Sequence, residues 1–389
     1  MVPVAEVASV NPRLPLRPDP DELVSFVSME SVDAECACTS GGQDRRFGDV
    51  SRGYTQFVRG DVLVAKITPC FENAKIATAD IRRDVGVGST EFHVVRPQRD
   101  RLDPSYLLHY LRRSEVRRQG ELRMTGSAGQ RRVPEAFLAS LMIPLPSLDE
   151  QRRIARVLDA VDALRAKRRM SITKLSEMVE ATFVDMFGDP RTNERGWPVG
   201  RIGDMLASAT YGSNVKAGSV GAYPVLRMGN ITSSGRIDMT DLKYLDLSPG
   251  EAERYLVRAG DVLFNRTNSP NLVGKTAIYR GSAPLAFAGY LIRLRMMDGY
   301  TPDYLSVYLN TRYGKAILRA MCKSIIGMAN INAQELKTIP IPIVPAALQE
   351  HFSRSVWAIE QERHRRIDHL AHLDTLFASL RDRAFKREL

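Results

Sequence analysis

Phe57-Val-Arg-Gly-Asp-Val-Leu-Val64 and Leu256-Val-Arg-Ala-Gly-Asp-Val-Leu-Phe264 are two versions of one segment, with their glycine–aspartate pairs, Gly60-Asp61 and Gly260-Asp261, 200 residues apart. The match continues outward in the same order. Lys75-Ile-Ala77 parallels Lys275-Thr-Ala277, and Asp103-Pro-Ser-Tyr-Leu107 parallels Thr301-Pro-Asp-Tyr-Leu305. Ile143-Pro-Leu-Pro146 parallels Ile339-Pro-Ile-Pro342, and Val4-Ala-Glu-Val7 parallels Ile202-Gly-Asp-Met205. The offset stays between 196 and 200. One short match arises by chance, but this series at nearly one offset defines an internal repeat over most of the chain.

Each copy ends in a long helical pattern. In the first, alternating steps of four and three connect Ile154, Leu158, Val161, Arg165, Arg168, Ile172, Leu175, Val179, Thr182 and Met186. In the second they connect Phe352, Val356, Ile359, Arg363, Arg366, Leu370, Leu373, Phe377, Leu380 and Ala384, 198 residues on at every step. Such spacing puts the side chains on one stripe of an α-helix, the seam of a coiled coil. Each helix is expected to run about 37 residues, or about 55 Å. Two such helices in one chain bury their seams against each other. If they run antiparallel, the globular parts lie at opposite ends of a rod, a dumbbell with pseudo-twofold symmetry. The arginines interrupting both seams are assigned a structural role in register.

The globular parts read as mixed α/β heads. Asp61-Val-Leu-Val64, Phe92-His-Val-Val95, Val262-Leu-Phe264 and Leu291-Ile-Arg-Leu294 have strand character, whereas Ser105 to Arg118 and Asp303 to Met321 have helical character. The expected organisation is a first recognition domain over 1–148, a helix over 149–188, a second recognition domain over 189–345 and a second helix over 346–389.

The chain has 389 residues, 44% hydrophobic and 26% charged, ordinary for a core-forming protein. There is no apolar run of about 18 residues and no export pattern at the N-terminus. The four cysteines are too few for a disulfide framework, and Cys36-Ala-Cys38 has no second Cys/His pair near it to complete a metal site. These features point to the cytoplasm and away from membranes. The formal charge is +10, and it is uneven: −1 over 1–150, +3 over 151–187, +7 over 188–345 and +1 over 346–389. Two similar heads on a basic chain suggest two-part DNA recognition.

The chain resembles the specificity subunits of type I restriction-modification systems. The resemblance is carried by Phe57-Val-Arg-Gly-Asp-Val-Leu63, Ile143-Pro-Leu-Pro146 and Glu150-Gln-Arg-Arg-Ile-Ala155 in the first copy. In the second it is carried by Trp197-Pro-Val199, Gly260-Asp-Val-Leu263, Ile339-Pro-Ile-Pro342 and Leu348-Gln-Glu-His-Phe352. It implies a subunit with no catalytic site and no cofactor of its own, whose two target recognition domains each read one part of a split site in double-stranded DNA. The implied partners are two methylation subunits and, in the full enzyme, motor-nuclease subunits. Those partners would use S-adenosylmethionine, ATP and Mg. The rival class is a coiled-coil adaptor whose heads read no DNA.

Enzymatic alternatives fail on motif and context. Ser269-Pro-Asn-Leu-Val-Gly-Lys275-Thr276 lacks the first glycine of a phosphate loop, and the following Ala277-Ile-Tyr-Arg280 reads as a strand, not the helix such a loop must open. No Asn/Asp-Pro-Pro-aromatic segment of an amino-methyltransferase is present. Glu72 and Lys75 have a spacing that suits a metal nuclease, but the aligned positions in the second copy are Leu272 and Lys275. His364, His369 and His372 read as a solvated helix face.

DNA contacts are expected in the loops after the Gly-Asp strands: Lys66, Thr68, Glu72, Asn73 and Lys75, then Asn265, Arg266, Thr267, Asn268, Asn271 and Lys275. A second region precedes the proline exit, with Ser127, Gln130, Arg131 and Arg132 in one copy and Asn330 and Asn332 in the other. Arg227 and Asn230 form a third. Arginine and lysine reach phosphates or guanine edges, and asparagine pairs with adenine.

Overall fold

The computed structural model describes every residue except 128, 269–271, 323–328, 387 and 389, with backbone only at 268 and 329. The chain forms two compact units, residues 1–170 with 367–389 (unit 1) and residues 171–366 (unit 2).

Unit 1 is built on two four-stranded sheets. One has the order Gln43–Arg46, Leu23–Val27, Val85–Gly88, Thr55–Val58, with a parallel middle pair and antiparallel outer pairs. The other is antiparallel throughout: Ala8–Val10, Phe92–Pro97, Val62–Ala65, Ile76–Thr78. Unit 2 repeats both. Its mixed sheet runs Lys243–Leu245, Tyr223–Leu226, Leu285–Phe287, Leu256–Val257. Its antiparallel sheet runs Leu206–Tyr211, Leu291–Met296, Val262–Asn265, Thr276–Ile278. The strand after each Gly-Asp pair is buried on both faces. Val62 and Val64 enter one apolar cluster and Leu63 another, and Val262, Phe264 and Leu263 divide in the same way. Alternation at period two therefore serves two cores rather than a core and solvent.

The Gly-Asp pair is a scaffold turn. Gly60 and Gly260 take φ of 86° and 91°, a region that glycine enters without the Cβ penalty. Asp61 accepts the Val58 N–H at 2.9 Å and a forked pair from Arg96 at 2.8 and 2.7 Å. Asp261 accepts from Arg258 N–H at 2.9 Å and from Arg295 at 2.8 and 3.3 Å. Where the sequence suggests one helix after each proline, the structure has two: Pro104–Leu111 and Ser114–Arg123, then Pro302–Asn310 and Arg312–Met321. In unit 2 the break is made by Thr311, whose hydroxyl accepts the Gly314 N–H at 3.1 Å and caps the new helix.

The long helices run Leu148–Phe187 and Ala346–Lys386. Each unit holds the start of one beside the end of the other. In unit 1, Ile154, Leu158 and Val161 share a core with Phe377, Ala384 and Phe385. In unit 2, Phe183 and Phe187 pack on Phe352 with ring centroids 5.7 and 5.1 Å apart. Farther along in unit 2, Arg236 reaches both Ser176 and Glu360, so the local pairing is antiparallel. Every seam position read from the sequence is buried or half-buried. Three of the four seam arginines, Arg165, Arg363 and Arg366, are paired within the helices. Arg165 donates to Asp374 at 2.6 Å across the pair, Arg363 lies 3.5 Å from Glu360, and Arg366 bonds Glu362.

Each helix start is locked to its head by the same bonds. Gln151, fully buried, accepts the Asp103 N–H at 2.9 Å and donates to the carbonyls of Arg101 and Pro146. Gln349, also fully buried, accepts from Thr301 N–H at 3.0 Å and donates to Val344. Tyr106 and Tyr110 donate to the carbonyls of Pro144 and Met142, and Tyr304 and Tyr308 to those of Pro342 and Pro340. These bonds, and the pairings Val2↔Ile143 and Gly200↔Ile341, equate Ile143 with Ile341. The sequence match to Ile339 is thus two residues out of register. Isoleucine and proline alternate along that strand, so the motif fits itself at either of two positions.

Cys36 and Cys38 are joined in a disulfide. It closes only a one-residue gap, so it links no distant parts of the fold. Cys70 and Cys322 are free.

Candidate nucleic-acid interface

The first two loop regions singled out in the sequence form one site in each unit. In unit 1, the residue after the Gly-Asp strand, Lys66, donates its N–H to Glu91 O at 2.8 Å and accepts from Val133 N–H at 2.9 Å. Thr68 N–H donates to Arg131 O at 3.0 Å. In unit 2, Arg266 N–H donates to Tyr290 O at 3.1 Å and its carbonyl accepts from Ile331 N–H at 2.9 Å. Thr267 pairs with Asn330, and Asn268 with Ala329. The backbone frame is the same in both units. The side chains mounted on it differ: Lys66 against Arg266, Glu91 against Tyr290, Arg132 against Asn330.

In unit 1 the outward side chains are mostly unengaged. Asn73, Gln130 and Arg131 are exposed, and among the described residues the Lys66 ammonium has no hydrogen bond or ion pair. Arg131 and Arg132 stand at the base of a hairpin closed by reciprocal bonds between Thr125 and Arg132, at 3.0 and 2.8 Å. Arg132 forks onto Glu91 at 2.9 and 2.7 Å, which holds that carboxyl below its ordinary range. Behind the hairpin, buried His93 makes a 2.8 Å bond to Val133 O and a 3.1 Å bond to Asn11 Nδ2. Burial lowers the His93 pKa, so the ring is neutral, with Nε2 donating to the carbonyl and Nδ1 accepting from the amide.

In unit 2 the Arg266 guanidinium lies 5.0 Å from the centroid of the Tyr211 ring. Among the described residues its Nε is buried without a hydrogen-bond partner, and Tyr290 beside it is 54% exposed. A cation held over an aromatic face with an exposed second ring suits a nucleic acid better than a small acid. Asn330 is exposed, its Oδ1 accepting from the Thr267 hydroxyl at 3.2 Å.

Other candidates are engaged in the scaffold. Lys75 and Lys275 make one bond twice over, donating at 2.9 Å to the carbonyls of Met29 and Met228. Lys315 donates to Gly274 O at 2.9 Å, and burial lowers its pKa to about 8, with Lys275 and Arg319 adding repulsion. Asn230 is buried and satisfied: it accepts from Arg227 N–H and donates to the carbonyls of Asp238 and Asp241. Arg227 is tied to Asp241 at 2.8 Å. Thr68 bonds Glu72, Asn265 is fully buried, and Asn332 caps the helix Ala333–Lys337. The Asn268 side chain and Asn271 lie outside the described residues. Glu91, Tyr211 and Tyr290 were not legible as site residues, because their approach depends on strand pairing across the sheet.

Among the described residues no group of His, Cys, Asp and Glu could hold a metal, and His364, His369 and His372 are exposed. The segment after the loop resembling a phosphate site is a strand, Thr276–Ile278, which removes the helix N-terminus an anion would need. No described helix is long and apolar enough to cross a membrane.

A duplicated α/β head with one loop frame and two sets of side chains, each packed on antiparallel helix ends, defines a protein of two equivalent tandem domains. The chain belongs to the family of the type I restriction modification DNA specificity domain, whose model matches residues 51–174 and 194–356. It is 36% identical over 182 residues to the EcoAI specificity subunit of Escherichia coli, covering 46% of this chain and 31% of that one. To the EcoKI specificity subunit of Escherichia coli strain K12 it is 22% identical over 316 residues, covering 76% and 68%. The match to the first relative thus spans about a third of that protein's length. Two solved structures share the fold. A chain from work on complex assembly and conformational transition of the type I R-M system superposes with TM-score 0.59 at 18% identity, covering 100% of this chain and 97% of that one. The type I restriction-modification S subunit of M. genitalium gives 0.59 at 14%, covering 99% and 95%.

Proposed function

We propose that this chain is the sequence-reading subunit of a type I restriction-modification complex. It recognises a bipartite target in double-stranded DNA, one part per unit, and directs adenine methylation and restriction carried out by partner subunits. Two methylation subunits using S-adenosylmethionine, and motor-nuclease subunits using ATP and Mg, would supply the chemistry. The observation that carries this reading is the contrast within the repeat. The backbone bonds framing the two loop clusters coincide, whereas Glu91/Tyr290 and Arg132/Asn330 differ in charge and shape, and Lys66/Arg266 in the shape of the cation alone. A structural adaptor gains nothing from varying those positions while keeping the frame. A reader of two different base sequences requires it, since phosphate contacts position and base contacts specify.

The test is co-expression of this chain with the methylation subunit encoded beside it, followed by sequencing for modified adenines. A split motif with a fixed unspecified spacer supports the reading. A complex that assembles yet modifies no adenine supports the adaptor instead.

A further inference from the structure

The arginine of the unit 1 site is held in a particular presentation. We infer that Arg132 reads a guanine in the part of the target taken by unit 1, with Glu91 as its positioning residue. This rests on the reading above and adds a base to it.

A guanidinium has five N–H groups, and those of Arg132 can be accounted for one by one. Nε–H and one Nη2–H are taken by the Glu91 carboxylate, at 2.9 and 2.7 Å. One Nη1–H is taken by Gln130 O at 3.1 Å. Among the described residues, what remains is one N–H on each of the two terminal nitrogens, Nη1 and Nη2, a pair that lies parallel at the end of the guanidinium when Gln130 O takes the Nη1–H on the Cδ side. That pair matches the O6 and N7 acceptors of guanine in the major groove, and no other base offers two acceptors so placed. The Arg132 side chain is 42% exposed, against 24% for Glu91, so the outer edge is accessible while the buttress is partly covered. The backbone under it is fixed on both sides, by the bonds to Thr125 and by Val133 N–H to Lys66 O. Fixing the fork before binding removes the rotamer entropy a free arginine loses on reading a base. Arg131, exposed and without a carboxylate partner among the described residues, suits a phosphate instead.

The position does not serve the same purpose in unit 2. There Tyr290 and Asn330 stand in place of Glu91 and Arg132, so no buttressed fork exists. The inference therefore predicts an asymmetry: the guanine lies in one part of the split target, the part that changes when residues 1–148 are exchanged.

The experiment uses the assembled methylation complex and its own mapped target. In the wild-type complex, each guanine of the unit 1 part is replaced in turn by 7-deazaguanine, which lacks the N7 acceptor, and binding is measured. The expected result is one position at which binding weakens several-fold. In Arg132→Ala, discrimination at that same base pair falls by about 5- to 150-fold, with the unit 2 part unchanged. In Glu91→Gln, discrimination there falls less. The inference is overturned if the unit 1 part contains no guanine, or if no 7-deazaguanine position matters. It is equally overturned if Arg132→Ala weakens binding to all sequences alike and lowers the salt dependence, the mark of a phosphate contact. Each of those leaves the two-part reading standing, whereas a complex that modifies no adenine overturns both.

Discussion

Lys75 and Arg131 illustrate how little residue type alone says about a role. Both are basic loop residues of unit 1, yet Lys75 is tied to Met29 O while Arg131 is exposed. Arg131→Ala is expected to lower the slope of log binding constant against log salt by about one, with little change in base preference. Lys75→Met should leave that slope unchanged and act on stability; equal slopes for both variants would contradict the assignment. His93 gives a pH test. Its pKa is lowered by burial, so between the unfolded value near 6.5 and the lower folded one the unfolded chain binds more protons. Stability from this group is therefore full above about pH 6.5 and declines as pH falls below it. Amide exchange in Phe92–Pro97 should accelerate between pH 7 and pH 5 relative to His93→Gln; a difference independent of pH would contradict a neutral, buried ring. The buried glutamines were visible in sequence only as motif letters. Their reason is physical: each satisfies backbone groups where head meets helix, and Gln151→Ala should cost about 3 kcal/mol by leaving buried polar groups unpaired, measured by urea unfolding.

The long helices were the most legible elements, because a 4-3 repeat over about five heptads without Gly or Pro is longer than an ordinary amphipathic surface helix. Their ends were less so. The aromatic anchors Phe183, Phe187 and Phe385 each sit one position after a predicted seam residue. A helix with 3.6 residues per turn drifts about 20° per heptad against a 3.5 repeat, so the buried stripe moves on by one residue over this length. Phe385 packs on Tyr106 and Phe187 on Tyr304, both at 4.9 Å between centroids, so the end of each helix seals the head of the other copy. Phe385→Ala is expected to cost about 3–5 kcal/mol, with loss of exchange protection confined to unit 1. Equal loss in unit 2 would contradict the division of the core. The proline exit failed in register for the opposite reason: a period of two in residue type carries no information about which of two frames is right. The break at Thr311 was missed because a capping threonine inside a helical pattern is invisible until the hydroxyl's partner is known, and the break at Arg112 because no side-chain cap marks it.

At the level of the whole molecule, duplication was readable because it is written in order and offset, and these need no structure. The site was readable only by region. Its members come from segments as far apart in the chain as Tyr211 and Asn330, joined by bonds such as Val133 N–H to Lys66 O that no periodicity encodes. What duplication adds is an internal control, since one frame carries two side-chain sets in one chain. The central claim is that each set reads its own part of the target. It is tested most directly by replacing residues 1–148 with the corresponding head of another family member and mapping modified adenines in the assembled complex. The account predicts a split motif in which one part is new, the other is unchanged, and the spacer is kept. A motif altered in both parts, or in neither, would contradict it.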